Sequence, residues 1–407
     1  MMISSSCDRL LTGSPLRRSG TGRAIIFVLL AILAFATLVH LSVFAGLKPE
    51  LVAVFGRALG LSTLLAAVPV TLLWFLDRRE REAPFLFAAA FLWGGCIATA
   101  LALPFNNVAF RLVEDFLAQN PALAVLLGPD AALMIVAPLS APIVEEIAKA
   151  LGVILLFWLL RPEFDNMRDG LVYGALIGVG FTWFETALYV TKLYAQFGEP
   201  AFGLQLGLRY ALFGLGGHAM FTAIFGASLG LALQTRRTWL KILAPIVGLL
   251  LSILAHLINN VLPLYAALTR VSAGKPPPDP SKLPDIGFVQ AFLMGSAMQL
   301  TLFVPFLVLM AVAVWRSGVW ERRVIREELA GEAGDIVTED EHRAIGRDSM
   351  LRTRRIDSMH KRSSAALVNA QHELAFRKRR VRDEGGDPET DGLVAGWRED
   401  IRRLRTA

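Results

Sequence analysis

The chain has 407 residues, 54% of them hydrophobic and 19% charged, with a net charge of +6. A water-soluble domain this apolar would lack the polar surface to stay in solution, and the two cysteines, Cys7 and Cys96, supply neither a disulfide framework nor a CxxC-type metal site. The basic balance gives no support to a nucleic-acid partner, because membrane topology accounts for it.

The apolar residues fall in runs of about 18–28, the length that crosses roughly 30 Å of hydrocarbon as a helix and satisfies its own backbone there. In chain order, Arg17, Arg18 and Arg23 precede a first run at 24–46, too long for a signal-peptide core and therefore read as a retained span. Further spans are expected at 58–76, 85–105, 131–160, 169–190, 208–234, 240–264 and 289–315. Pro138 and Pro142 interrupt the fourth, which predicts a short broken or re-entrant piece before a full helix. The expected fold is thus all-α, a polytopic membrane helix bundle of about eight spans. It divides into a cytoplasmic segment 1–23, a transmembrane domain 24–315 with its chemistry in 131–264, and a charged, partly helical cytoplasmic tail 316–407.

Lysines and arginines set the orientation. With the N-terminus inside, the inner segments carry Arg9, Arg17, Arg18 and Arg23, then Arg78, Arg79 and Arg81, then Arg161 and Arg168, then Arg236, Arg237 and Lys241. The outer loops carry only Lys48, Arg57, Arg111, Lys192, Arg270, Lys275 and Lys282. This favours N-in, C-in. The tail from Arg316 holds 20 of the 41 basic and 18 of the 35 acidic residues, with apolar spacing at Leu367, Leu374 and Val381. Its run Arg377-Lys378-Arg379-Arg380 could touch anionic lipid, but a solvated charged face is the favoured reading.

An ionisable residue near the middle of a span costs about 2.5–3.5 kcal/mol on insertion scales, so each needs an explanation. Away from span ends they are Glu145, Glu146 and Lys149 in the fourth span, Glu185 in the fifth, His218 in the sixth and His256 in the seventh; His40 in the first has no nameable partner. At 1.5 Å per residue, Glu185, His256, His218 and Glu145 lie roughly 8, 12, 15 and 20 Å below the outer ends of their spans, so one shared site is feasible. Lys149 follows both acids by one turn and can pair with one while leaving the other free. His256 and Asn260 share a helix face, as do His218 and Thr222. Two imidazoles, one ligating carboxylate and one spare carboxylate suffice for zinc-assisted hydrolysis, in which three protein ligands leave a position open for water. No HExxH motif is present, so the ligands must come from separate helices. The same groups also admit structural readings: a buried Glu146–Lys149 pair, a core His218 bonded to a carbonyl, and a His256–Asn260 interhelical clamp.

The run Glu145-Glu146-Ile-Ala-Lys149, then Asp169-Gly170 through Gly174, Gly178 and Gly180 to Glu185, then Arg209, Gly217-His218-Ala219 and His256-Leu-Ile-Asn259-Asn260, resembles the PrsW family of intramembrane proteases. That family is grouped with CAAX prenyl proteases and bacteriocin-processing membrane proteins. The resemblance implies an intramembrane metalloprotease of a bacterial inner membrane, acting on membrane-associated proteins such as anti-sigma factors. By position it implies that Glu145 or Glu146 activates the water, that Glu185, His218 and His256 hold zinc, and that Asn260 stabilises the oxyanion or assists the metal. One departure is Thr186, where the family usually has asparagine, which leaves the hydrogen bonding around Glu185 open. Spans one to three and the tail lie outside the resemblance. Two other classes stay in view: a proton-coupled transporter or channel using the same acids and histidines, disfavoured by the lack of paired repeats, and a catalytically silent membrane scaffold.

Overall fold

The computed structural model describes residues 31, 33, 34, 36–38, 40, 48–77, 84–128, 131–159, 164, 166–235, 237–274, 284–332, 334, 336–345, 356 and 359–406. Segment 1–23 with Cys7, most of the expected span 24–46, and Arg78, Arg79, Arg81, Arg161, Arg236, Lys275 and Lys282 lie outside the described residues. All long elements among the described residues are helices: α1 Pro49–Leu76, α2 Pro84–Leu92, α3 Thr99–Gln119, α4 Pro121–Leu127, α5 Ala131–Leu139, α6 Ala141–Leu159, α7 Met167–Phe197, α8 Phe202–Arg209, α9 His218–Gln234, α10 Thr238–Ser272, α11 Phe288–Leu302, α12 Val304–Ala330, α13 Glu339–Ile345, α14 Lys361–Asp383 and α15 Gly392–Thr406. Among the described residues, six helical stretches are long and apolar enough to cross a membrane, seven if α4 and α5, bent by 87°, make one span. The fold is an all-α polytopic bundle.

Several expected spans have different ends, each for a local reason. The fourth breaks at Ser140, between the two prolines, into α5 and α6, because neither proline has an N–H to continue the ladder. The eighth breaks at Phe303, so that α11 is short while α12 runs from the bilayer out to Ala330. The third continues well past residue 105: α2 and α3 are joined by a π-helical turn, Trp93–Ala98. Trp93 fills the notch at Gly152, where a Cβ would stand 2.3 Å from its ring, and its Nε1 donates to Ala148 O of α6 at 3.1 Å.

α7 is the central element, buried on almost every face. Asn166 starts it with a capping box: its side chain accepts from the Arg168 and Asp169 amides while Asp169 accepts from Asn166 N, which satisfies donors the helix cannot. Its glycines set the spacing to α9. A Cβ on Gly170 would stand 2.0 Å from Gly226 O, one on Gly174 2.5 Å from Thr222 O, and one on Gly178 2.2 Å from His218 O. Backbone therefore meets backbone along the whole α7–α9 seam, and that approach fixes where His218 can stand.

The tail is a second packed unit. Val324, Ile325, Leu329, Ile336, Val337, Leu367, Leu374, Phe376, Val394 and Ile401 form its core. The basic run turns inward or along the fold, which corrects the solvated-face reading: Arg377 pairs with Asp391 at 2.6 Å, Arg379 with Asp383 at 2.9 Å, and buried Lys378 with Glu332 at 2.5 Å. Glu332 also takes Arg398 at 2.6 Å. Helix packing claims these charges because several cations close on few buried carboxylates. α12 carries this unit back to the bundle: Arg168 of α7 pairs with Glu321 of α12 at 2.7 Å, both buried, and also donates to Leu76 O at the end of α1.

Burial pushes the Glu332 carboxyl up, but Arg398 and Lys378 outweigh it and hold it below its ordinary 4.5, and Arg377 holds Asp391 below its ordinary 3.8. Lowered folded-state values add stability that is complete above those ordinary values and lost as pH falls through the folded ones; Glu328, raised by burial against Arg382, acts in the opposite sense. The Glu332→Gln variant is expected to destabilise the tail by about 3 kcal/mol, because it leaves Lys378 buried beside a neutral group. Limited proteolysis of the full chain should show tail cleavage first, and the wild type should approach this behaviour below about pH 4.

Candidate intramembrane carboxylate–imidazole site

The break at Ser140 starts α6 afresh, so Glu145 and Glu146 fall early in a new helix, on the face turned toward α7, α9 and α10. Lys149, wholly buried, lies one turn on: its Nζ is 2.7 Å from Glu146 Oε1, 3.6 Å from Glu145 Oε2 and 2.9 Å from His218 Nδ1, and it sits 3.8 Å from the centre of the Phe181 ring. Outside water such a cation needs these partners, and the aromatic face adds to them.

The adjacent glutamates have different surroundings. Glu146 Oε1 accepts from Lys149 and from His256 Nδ1 at 2.9 Å; its Oε2 accepts from Thr222 Oγ1 at 3.1 Å and Ser252 Oγ at 2.9 Å. Both oxygens are saturated, and α6, α9 and α10 are joined through one carboxylate. Glu145 Oε1 accepts from Asn106 Nδ2 of α3 at 3.2 Å, whereas its buried Oε2 accepts no hydrogen bond. That oxygen lies 3.9 Å from His256 Nε2. With Nδ1 donating to Glu146, His256 presents the lone pair of Nε2 toward Glu145.

Glu185 stands on α7 beside the cluster. Its Oε2 accepts from Arg209 Nη1 at 2.6 Å and from His218 Nε2 at 2.8 Å. Arg209 is held in turn by Gln205 at 3.0 Å and lies over the Tyr189 ring, 4.2 Å from its centre. Thr186 donates back to Thr182 O in its own helix, so Arg209 and His218 supply the bonding around Glu185. Asn260 donates to Ala137 O of α5 at 2.9 Å and accepts from Asn259 at 3.1 Å, bracing the α5–α6 break. His40 has a partner too, Thr99 Oγ1 at 3.2 Å from its Nε2.

Glu145, His218 and His256 bring one ligand-type atom each within 4.8 Å of one another. A carboxylate and two imidazoles are a donor set that zinc accepts, and the orphaned Glu145 Oε2 is the kind of buried acceptor a cation would satisfy. The imidazoles are also backed as metal-binding histidines usually are, His256 by Glu146 and His218 by Glu185. The donor types fit a metal once Lys149, 2.9 Å from His218 Nδ1, gives up that nitrogen. Of the six candidate residues, five lie in this network; Asn260, one turn beyond His256, faces the broken helix.

Two contributors were not legible in the sequence, and a third was quoted there without a role. Asn106 lies just past the expected end of the third span and reaches Glu145 because α3 continues. Ser252 is a lone hydroxyl in an apolar run. Arg209 was among the residues carrying the resemblance but had no role there; the buried acid on the preceding helix, Glu185, was the available signal for it.

Fold and site together define an integral membrane protein with a carboxylate–imidazole centre inside its helix bundle. Residues 82–278 match the family model described as PrsW family intramembrane metalloprotease. The Protease PrsW of Geobacillus kaustophilus (strain HTA426) is 28% identical over 174 residues, a match that spans 42% of this chain and 66% of the relative, just under two thirds of its length. No solved structure matches. Through this membrane core, the chain is similar to the PrsW family.

Asn106 pins one oxygen of Glu145 and leaves the other facing the histidines, while Ser140 Oγ holds the Asn106 carbonyl at 3.1 Å. The Asn106→Ala variant is therefore expected to hold a divalent metal probe about 10–100-fold more weakly than wild type, the usual loss when the partner of a ligating group is removed. Titration of the detergent-solubilised protein against a competing chelator measures this.

Proposed function

We propose that this chain is an intramembrane, zinc-dependent peptidase that hydrolyses membrane-associated proteins, and the carrying observation is the buried Oε2 of Glu145, which accepts no hydrogen bond, beside two oriented histidines. Zinc would be held by Glu145, His218 and His256, with Glu145 in place of the expected Glu185, whose Oε2 is taken by Arg209 and His218; bound there it supplies a Lewis acid and brings the pKa of water to about 7. The chain's own residues do the rest. Glu146 fixes the His256 ring, Glu185 fixes the His218 ring, and Asn106 fixes Glu145. Lys149 offsets the charge of the paired acids, so both can be kept out of bulk water. Phe221, stacked on His256 with centroids 5.2 Å apart, and Phe181, edge-on to His218 at 4.9 Å, wall the centre from water and limit imidazole motion.

The surroundings support a substrate that arrives through the bilayer. Beside the acids, α6 turns Ile143, Ile147, Leu151, Ile154 and Trp158 outward, an apolar face suited to lipid and to transmembrane segments. The proposed setting is a bacterial inner membrane with both ends of the chain inside, as the loop arginines favour. The tail fits the cytoplasm, since none of its described residues from Arg316 onward is a large exposed hydrophobic. Regulatory membrane proteins such as anti-sigma factors are the proposed substrates.

The two glutamates give a discriminating test. Glu145→Gln is expected to abolish processing of membrane proteins while the bundle loses little thermal stability, because Oε2 accepts no hydrogen bond and Lys149 keeps its closer pairing with Glu146. Glu146→Gln is expected to lower stability by about 3–5 kcal/mol, as breaking a buried pair does. Cells carrying each variant, compared with wild type by profiling cleaved membrane proteins, give the first readout; zinc content and thermal melting of purified protein give the second. Wild-type protein without stoichiometric zinc, together with unchanged processing in Glu145→Gln cells, would sink the proposal.

A further inference from the structure

α9 begins at His218 and so starts its first turn inside the centre. The leading N–H groups of an α-helix have no acceptor within the helix, and here the cap position is Gly217, with no side-chain cap bond. A Cβ built on Gly217 would meet nothing within 4 Å, so there is room beside the cap residue. The chain reaches it through Leu212 and Phe213, whose φ values of 50° and 58° are unusual for residues with a Cβ.

Gln299, in the last turn of α11, is the second observation. It is 4% exposed, and its buried Oε1 accepts no hydrogen bond. A Cβ on Gly216 would stand 3.3 Å from that oxygen, which places it against the backbone two residues before His218. A buried acceptor left unmade is costly, and native interiors seldom retain one.

Uncapped donors beside an unmade acceptor select a ligand. An anion would suit the amides but meet the Gln299 oxygen, and a cation would suit that oxygen but meet the amides. A neutral group with one C=O and one N–H satisfies both. We propose that the first turn of α9 and Gln299 Oε1 form a backbone subsite, which holds one peptide group of the substrate beside Glu145, His218 and His256. Its carbonyl accepts from α9, and its N–H donates to Gln299. A helical substrate has these groups already paired, so the subsite takes a transmembrane segment locally unwound into extended chain. This deepens the peptidase reading and rests on it.

The test uses full-length, chelator-stripped protein in detergent and a blocked, Leu/Ala-rich membrane-spanning peptide. A matched set replaces one backbone amide at a time by an ester, which removes a single N–H. In wild type, one ester position is expected to weaken binding about tenfold, the worth of one such hydrogen bond. In Gln299→Leu that penalty should vanish, while thermal stability holds or rises because the orphaned oxygen is gone. A peptide that fails to bind, an ester series with no weak position, or a penalty that persists in Gln299→Leu overturns the subsite. Since no zinc is present, these outcomes are separate from the zinc and processing measurements on which the peptidase reading stands.

Discussion

The buried ammonium of Lys149 is the interaction on which the centre depends. Two neighbouring carboxylates cannot both be kept from water without a cation near them, and Lys149 reaches both from the next turn of the same helix. Its proximity lets Glu146 act as a junction for three helices, with Thr222, Ser252 and His256 all converging on it. Once Glu146 is saturated, the sister carboxylate is left with one oxygen that accepts no hydrogen bond. The division of labour between two identical side chains is a matter of hydrogen-bond capacity.

That division was only partly legible in the sequence. The depth of each ionisable residue in its apolar run placed Glu145, Glu185, His218 and His256 near one level, and the structure brings them into one network. Helix period also showed that Lys149 could pair with one acid and leave the other free, but not which. The choice is made by Thr222, Ser252 and Asn106 from distant helices, and no local pattern encodes such pairings. Asn260 illustrates the same limit: it lies one turn from His256 on the sequence pattern, yet its amide is taken by Ala137 O at a proline-induced break.

The ends of elements were the weakest part of the reading, for a consistent reason. A hydropathy run ends where polar residues begin, whereas a helix ends where its hydrogen bonds do. α3 and α12 both continue as helices beyond the apolar stretch, and each extension matters. The first brings Asn106 to Glu145, and the second brings Glu321 to Arg168 and joins the tail to the start of α7. The tail's own core was foreshadowed by Leu367, Leu374 and Val381, but its inward-turned lysine was not, since a basic run looks solvated until the acids facing it are known.

The π-helical turn at Trp93–Ala98 gives the third span a particular sensitivity. A wider turn holds an extra residue, so everything after it is rotated relative to an uninterrupted α-helix. Asn106 faces Glu145 in that shifted phase. Losing one residue from the turn would swing the asparagine by about 100° and draw it back about 1.5 Å along the axis, toward lipid or a neighbouring helix. The segment therefore works as a counter: it cannot change its number of residues without taking the amide away from the acid.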